Sequence, residues 1–288
     1  NKSSSEIIQS LVLKAKKAQS IFENYNQNQV DEVITAVAWT LCKPSNNKKI
    51  SNLAVSETGL GNPEDKILKN RRKTLGLLRD LKNIKTVGVI NEDKEKGIIE
   101  IAKPVGIVAA VTPSTNPAAT PINNIINALK GRNSIIVSPS PAGSKVFRDL
   151  LILINNELKK IGAPENLIQT FNCDVTKELT NELMKNVDLV IVTGSLNNVR
   201  EAAKSGTKAI GVGQGNVTSI VDETADLEDA FKKIKMSKTF DNATSCSSEN
   251  NLILIEDIYE KAINLLSKEN AVLLNKNQKE ILQENLWI

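Results

Sequence analysis

An α/β fold is predicted by the order of segments after Val105, where short apolar strands alternate with longer amphipathic helices. Candidate strands run from Val105 to Val111, Ser134 to Ser138, Leu167 to Phe171 and Asp188 to Thr193, each short and apolar. Helical patterns separate or follow them near Ala119 to Lys130, Gly143 to Lys160, Thr176 to Lys185 and Asn197 to Ser205. This alternation is the signature of a doubly wound sheet with helices on both faces.

Amphipathic helices open the chain. Ile7, Ile8, Leu11 and Ala15 share one helical face, and Val30, Val33, Ile34, Val37 and Leu41 share another after the polar turn Asn24 to Asn28. A further helix is predicted around Ile67 to Leu81, and Glu57-Thr-Gly-Leu-Gly61 reads as a glycine-capped helix end. Thr86 to Ile90 and Gly97 to Ile101, joined by the charged turn Asn91 to Lys96, predict a hairpin. Two more strands, Lys208 to Val212 and Val217 to Val221, follow each other across a glycine-rich link. A new helix begins after Glu223, which puts the expected domain boundary near Asp222: residues 1–222 form one domain and 223–288 begin another.

With 288 residues and 40% hydrophobic content, the chain can bury a substantial core. Its formal charge of +4 arises from 37 basic and 33 acidic residues that are interspersed, and aromatic residues make up 3%. Neither a basic patch nor a base-stacking platform is present, so no nucleic-acid partner is expected. No apolar run approaches the roughly 18 residues of a membrane span, and no charged-then-apolar leader is seen, so no membrane partner is expected either. The three cysteines are far apart and odd in number, which argues against a disulfide framework and for a reducing, cytoplasmic location. Histidine is absent, which removes every Cys-His and Ser-His pair; with no metal-ligand spacing either, no metal is expected. The start at Asn1 without methionine and the stop at Ile288 soon after a helical pattern lead us to expect a fragment.

Cys246 is the candidate nucleophile. It lies in the polar run Ser237 to Asn250, after an amphipathic stretch and before the apolar strand Leu252 to Ile255. Small hydroxyl and amide neighbours keep such a thiol accessible, and backbone N–H groups in a turn favour a thiolate and an oxyanion. An ordinary free loop cysteine remains the alternative. Cys42, on an apolar helical face, and Cys173, just past a strand, read as packing residues.

Ligands of open α/β sheets bind where the loops leave the carboxyl ends of the strands. Thr112-Pro-Ser-Thr-Asn-Pro117, Pro139-Ser-Pro-Ala-Gly143 and Gly194-Ser195 occupy those places, with hydroxyls, amides and helix N-termini suited to phosphates and ribose. Turns and caps alone would also explain them. Gly211-Val-Gly-Gln-Gly-Asn216 looks like a dinucleotide fingerprint but precedes a strand, so its glycines point to close backbone approach or a sharp turn.

Together, Ser56 to Gly61, Lys103-Pro-Val-Gly-Ile107, Pro113-Ser-Thr-Asn-Pro117, Ala128-Leu-Lys-Gly-Arg-Asn133, Val192-Thr-Gly-Ser195 and the Cys246 loop resemble, in order and spacing, the aldehyde dehydrogenase superfamily. The resemblance covers nearly the whole chain and is nearest to the coenzyme A-acylating branch; the Thr239 to Asn250 run is most similar to members acting on sulfoacetaldehyde. It implies a Rossmann-like NAD(P)-binding domain, an oligomerisation hairpin near 86–101 that makes a homo-oligomer, and a truncated α/β catalytic domain carrying Cys246. The implied catalytic residues are Cys246, Asn116 and Thr115. The implied cofactor-binding residues are Thr112, Pro113, Ser114, Ser138, Pro139, Gly194, Ser195 and Gly213. The substrates implied are a small aldehyde and coenzyme A, with NAD or NADP as acceptor.

Departures from the hydrolytic branch matter. That branch has asparagine where Thr115 stands, lysine where Ser138 stands, and a glutamate near Gly211 to Gly213 that activates water; Gly211 to Asn216 contains no acid. An acyl-enzyme lacking that base waits for a better nucleophile, the thiol of coenzyme A. A hydrolytic aldehyde dehydrogenase and a truncated, non-catalytic nucleotide-binding subunit stay open as alternatives.

Overall fold

The protein is described by a computed structural model over residues 3–286. Contacts divide it into two compact units, which meet in the chain between Gln214 and Gly215.

The first unit opens with helices α1 (Ser4–Phe22), α2 (Gln27–Cys42), α3 (Pro44–Thr58) and α4 (Pro63–Leu81). Their starts are written locally. Ser3 and Asn26 complete capping boxes with Glu6 and Gln29, and Asn62 caps α4 ahead of Pro63. Gly59 ends α3 with a left-handed φ of 67°, as its place in the sequence predicts. Next comes the antiparallel hairpin of β1 (Gly88–Asp93) and β2 (Ile98–Ala102), whose side chains are largely exposed.

A five-stranded parallel sheet follows in the order β5-β4-β3-β6-β7, built from β3 (Ile107–Thr112), β4 (Ser134–Pro139), β5 (Ile168–Thr170), β6 (Leu189–Thr193) and β7 (Ala209–Val212). Helices α5 (Ala119–Lys130), α6 (Ser144–Lys160), α7 (Lys177–Lys185) and α8 (Leu196–Lys204) connect these strands. Side-chain alternation along β3 sorts the core. Val108 and Ala110 face a cluster with Val37 and Leu41 of α2, Ile122 and Ile126 of α5, and Phe147 and Leu150 of α6. Ile107, Ala109 and Val111 face the opposite cluster, with Ile8 and Ala15 of α1 and Leu179 and Leu183 of α7. Burying each large aliphatic side chain contributes roughly 1.5–3 kcal/mol, so a strand buried on both faces is strongly held.

Two of the motifs singled out in the sequence prove to be architectural. Gly106 has a φ of 123°, and a Cβ there would lie 2.2 Å from the Asp188 carboxylate, which accepts a 2.7 Å hydrogen bond from the Ile107 N–H. Asn133 accepts from the N–H groups of Val105 and Gly106, while Arg132 donates to the carbonyls of Glu23 and Ala102. Lys103 to Ile107 and Ala128 to Asn133 thus fasten the entries of β3 and β4.

The second unit contains β8 (Val217–Val221), α9 (Leu227–Thr239), β9 (Glu249–Leu254), α10 (Tyr259–Lys268) and α11 (Lys276–Leu286). Its strands pair in parallel, and Val221, Leu227, Phe231, Ile258 and Ala262 form its buried cluster. Because β8 pairs with β9, the division falls before the expected Asp222, and Val217 to Val221 belong to the second unit.

Candidate active site

At the carboxyl ends of β3, β4 and β6 lies a cavity of about 490 Å³, lined by Thr112, Pro113, Ser114, Ser138, Pro139, Gly194 and Ser195 among others. Small-molecule sites commonly span about 300–1,000 Å³. Strand order reverses between β3 and β6, so this is the switch point where open sheets take ligands. Gly213 is not among the lining residues; a Cβ there would meet the Leu196 side chain at 2.9 Å.

The cavity is polar by construction. Ser195 caps α8 by accepting from the Asn198 N–H, and Thr176 caps α7 by accepting from the Leu179 N–H, so two helix N-termini reach its wall. Ser138 exchanges a 2.9 Å hydrogen bond with Thr180. Thr112 is buried, and its Oγ1 has no hydrogen-bond partner among the described residues, which fits a ligand polar group. Thr176, Thr180 and Asn198 escaped the sequence reading. Thr176 carried a signal, a cap residue ahead of a helical pattern, whereas Thr180 is brought in only by the turn of α7.

The loop after β3 splits in direction. Thr112 to Ser114 line the cavity, but Thr115 and Asn116 line a small recess with Lys66, Lys69 and Asn70 of α4. The buried Lys66 ammonium donates to the Thr115 carbonyl at 3.3 Å. Asn116, 8% exposed, donates from Nδ2 to Thr115 Oγ1 at 3.4 Å, and its Oδ1 has no partner among the described residues.

In the second unit, Cys246 is exposed. Its loop is organised by its own polar groups: Ser248 donates from both N–H and Oγ to the Ser245 carbonyl, and Ser245 and Ser247 share a 2.9 Å hydroxyl contact. The preceding residues Asp241, Asn242 and Ala243 have φ values of 52°, 53° and 61°. Left-handed backbone costs roughly 1–2 kcal/mol for a residue such as alanine, and strain of this kind gathers at functional sites. Thr244 supports the turn by donating to the fully buried Asp241, whose carboxylate oxygen lies 2.7 Å away. The Cys246 N–H donates to no acceptor among the described residues.

Glu249 lies at the edge of the polar run that holds Cys246. It begins β9, and its Oε2 is buried without a hydrogen-bond partner among the described residues. Cys173 packs against the cluster of α1 and α7, and Cys42 is half-buried, where desolvation pushes its thiol pKa up despite the opposing charge of Arg71. Among the described residues no group of His, Cys, Asp and Glu is arranged to hold a metal ion, and no helix is long and apolar enough to cross a membrane.

Comparison with known proteins places these features in context. The profile of the aldehyde dehydrogenase family matches residues 1–280. An acylating sulfoacetaldehyde dehydrogenase from Cupriavidus necator is 50% identical over 282 residues, 98% of this chain and 57% of that protein. The crystal structure of an acetylating aldehyde dehydrogenase from Geobacillus thermoglucosidasius superposes with a TM-score of 0.91 at 38% identity, covering 96% of this chain and 61% of that one. The propionaldehyde dehydrogenase of Rhodopseudomonas palustris, solved with bound CoA and an acylated cysteine, gives 0.84 at 31% identity over 96% of this chain and 62% of that one. The chain therefore spans about three fifths of the length of these relatives.

Proposed function

Because the chain belongs to the aldehyde dehydrogenase family, we propose that it carries the cofactor and nucleophile machinery of a coenzyme A-acylating aldehyde dehydrogenase. The observation that carries this reading is the exposed Cys246 thiol in a self-organised loop, its N–H without an acceptor among the described residues, in a chain whose Gly211 to Asn216 segment has no carboxylate to activate water.

In the proposed reaction the Cys246 sulfur bonds to the aldehyde carbonyl carbon as the π pair moves onto oxygen. The Cys246 N–H, with Thr115 or Asn116, holds that oxyanion. Thr112, Pro113, Ser114, Ser138, Pro139, Gly194 and Ser195 hold NAD or NADP, and Gly213 shapes the neighbouring backbone. When bound, the nicotinamide supplies a hydride acceptor for the carbon attached to sulfur, which becomes a thioester. The thiol of CoA, its proton given up to solvent, then attacks the thioester carbonyl carbon as a thiolate; the bond from that carbon to Cys246 sulfur breaks and Cys246 leaves as thiolate, regenerating the enzyme. Such chemistry suits a reducing compartment, for which we infer the cytoplasm.

The aldehyde is proposed to be small, with sulfoacetaldehyde favoured by the identity to the Cupriavidus enzyme. A homo-oligomer is proposed through the β1–β2 hairpin, where Val89, Ile90, Ile98, Ile99 and Ile101 are exposed. The test assays the complete gene product on sulfoacetaldehyde, acetaldehyde and propanal, with and without CoA and with each nicotinamide. CoA-dependent reduction of the nicotinamide with acyl-CoA release is expected. Rapid release of free acid without CoA would overturn the acylating reading in favour of a hydrolytic one, and no turnover with any aldehyde would leave a nucleotide-binding subunit.

A further inference from the structure

We infer that Gly215 is a positioning residue for Cys246: the lack of a side chain at Gly215 lets the backbone entering β8 lie against the main chain of the thiol loop. This rests on the reading of Cys246 as nucleophile. An ideal Cβ at Gly215 would stand 2.1 Å from the Cys246 carbonyl oxygen, 3.0 Å from its carbonyl carbon and 3.3 Å from its Cβ. Real Cβ atoms essentially never come within 3.0 Å of another heavy atom. The φ of Gly215 is not among the left-handed ones, so an alanine there is opposed by the contact alone.

What is struck decides the consequence. At Gly213 the nearest atom is the tip of the Leu196 side chain, and at Gly211 it is a Val199 methyl 2.6 Å away. Side chains like these relax by rotation or by a small shift of the helix. At Gly215 the struck group is the Cys246 carbonyl, whose displacement shifts the Cα that carries the sulfur and, through it, the N–H proposed to bind the oxyanion. Escape in the other direction is restricted. The Gly215 carbonyl accepts from Asn250 Nδ2 at 3.2 Å, Asn250 Oδ1 accepts from Lys238 at 3.0 Å, and Asn251 donates to Asn216 at 3.0 Å. The β8–β9 pairing begins immediately after, at Val217 and Glu249. A misplacement of about 1 Å at a reacting group can reduce the rate about 100-fold.

The experiment compares Gly215→Ala, Gly211→Ala, Asn250→Ala and Cys246→Ser in the complete gene product. It measures kcat, KM for aldehyde and nicotinamide, melting temperature, and the iodoacetamide alkylation rate at each cysteine by peptide mass spectrometry. Gly215→Ala is expected to lower kcat about 100-fold and change alkylation at Cys246 severalfold. Nicotinamide KM and alkylation at Cys42 and Cys173 should stay as in the wild type. Gly211→Ala should lower the melting temperature and leave Cys246 alkylation unchanged. A Gly215→Ala enzyme with wild-type kcat and Cys246 alkylation overturns the inference while Cys246→Ser is inactive; an active Cys246→Ser enzyme overturns the nucleophile reading instead. If Gly215→Ala does not fold, Asn250→Ala decides: a severalfold fall in kcat without a change in melting temperature is expected, and an unchanged kcat overturns the inference.

Discussion

The cavity of the first unit rests on five parallel strands with helices on both faces, whereas the Cys246 loop of the second unit rests on two strands and a cluster of five buried apolar side chains. Where the core is deep, side chains such as Thr112 and Ser138 are placed by the strands that carry them. Where it is shallow, position is set by local means: hydroxyls bonded to carbonyls, a left-handed run at Asp241 to Ala243, and a glycine that tolerates close approach. The cavity and the proposed nucleophile are thus held by different physics within one chain.

Removing the proposed nucleophile gives the largest effect. Cys246→Ser is expected to lower kcat by about 10⁴-fold or more while leaving nicotinamide binding intact, as read by steady-state kinetics and by titration of the cofactor. Equal losses in catalysis and cofactor affinity would contradict the separate roles of the two regions.

The depth of the two cores can be compared directly. Phe147 and Phe231 are both fully buried, and truncating either to alanine should cost about 3–5 kcal/mol. Phe231→Ala removes the largest member of a five-residue cluster, so hydrogen exchange should speed up across Gly215 to Leu286 with the first unit still protected. Phe147→Ala should instead weaken protection throughout the first unit. Matching exchange patterns in the two variants would show that the units unfold as one.

A smaller effect is expected at Thr112. Its buried Oγ1 lacks a partner in the free protein, so Thr112→Val should leave the melting temperature nearly unchanged or raise it. If that hydroxyl meets the cofactor, nicotinamide KM should rise by about tenfold, the value of one lost hydrogen bond of about 1–1.5 kcal/mol. An unchanged KM would remove Thr112 from the binding set.

The smallest effect concerns pH. Burial pushes the Cys42 thiol up, with Arg71 opposing, so the unfolded chain ionises this group first as pH rises. The associated stability is fully present below about pH 8.5 and is lost as pH climbs through the higher folded pKa. Urea midpoints of wild type and Cys42→Ala should therefore draw together as pH rises above about 8.5, the ordinary thiol range. A constant gap would show that the thiol is not desolvated.

The alternation of strands and helices was legible because each element carries its own periodicity, as in Ile7, Ile8, Leu11 and Ala15 of the first helix, and some their own punctuation, as in the glycine cap at Gly59. The strand-end part of the cavity wall was legible too, since residues that end parallel strands are gathered at one edge of the sheet whatever their separation in sequence, whereas the part supplied by α7 and α8 was not. Thr115 and Asn116 were harder. They adjoin Ser114 in the chain, yet the loop turns them toward Lys66, and a turn of that kind depends on where α4 packs. Motifs of equal prominence in the sequence also parted: Lys103 to Ile107 and Ala128 to Asn133 staple strand entries, while Thr112 to Ser114 and Gly194-Ser195 line the cavity.

The sequence by itself determined the α/β class, the loops at the strand ends and the single accessible cysteine candidate, because periodicity and local side-chain chemistry act over a few residues. Tertiary structure alone decided that Val217 to Val221 pairs with Glu249 to Leu254 in the second unit, that Thr176 and Thr180 join the cavity, and that Gly215 abuts Cys246. Those are contacts between residues remote in the chain, and their distances are set by packing of whole elements, a quantity no local pattern contains.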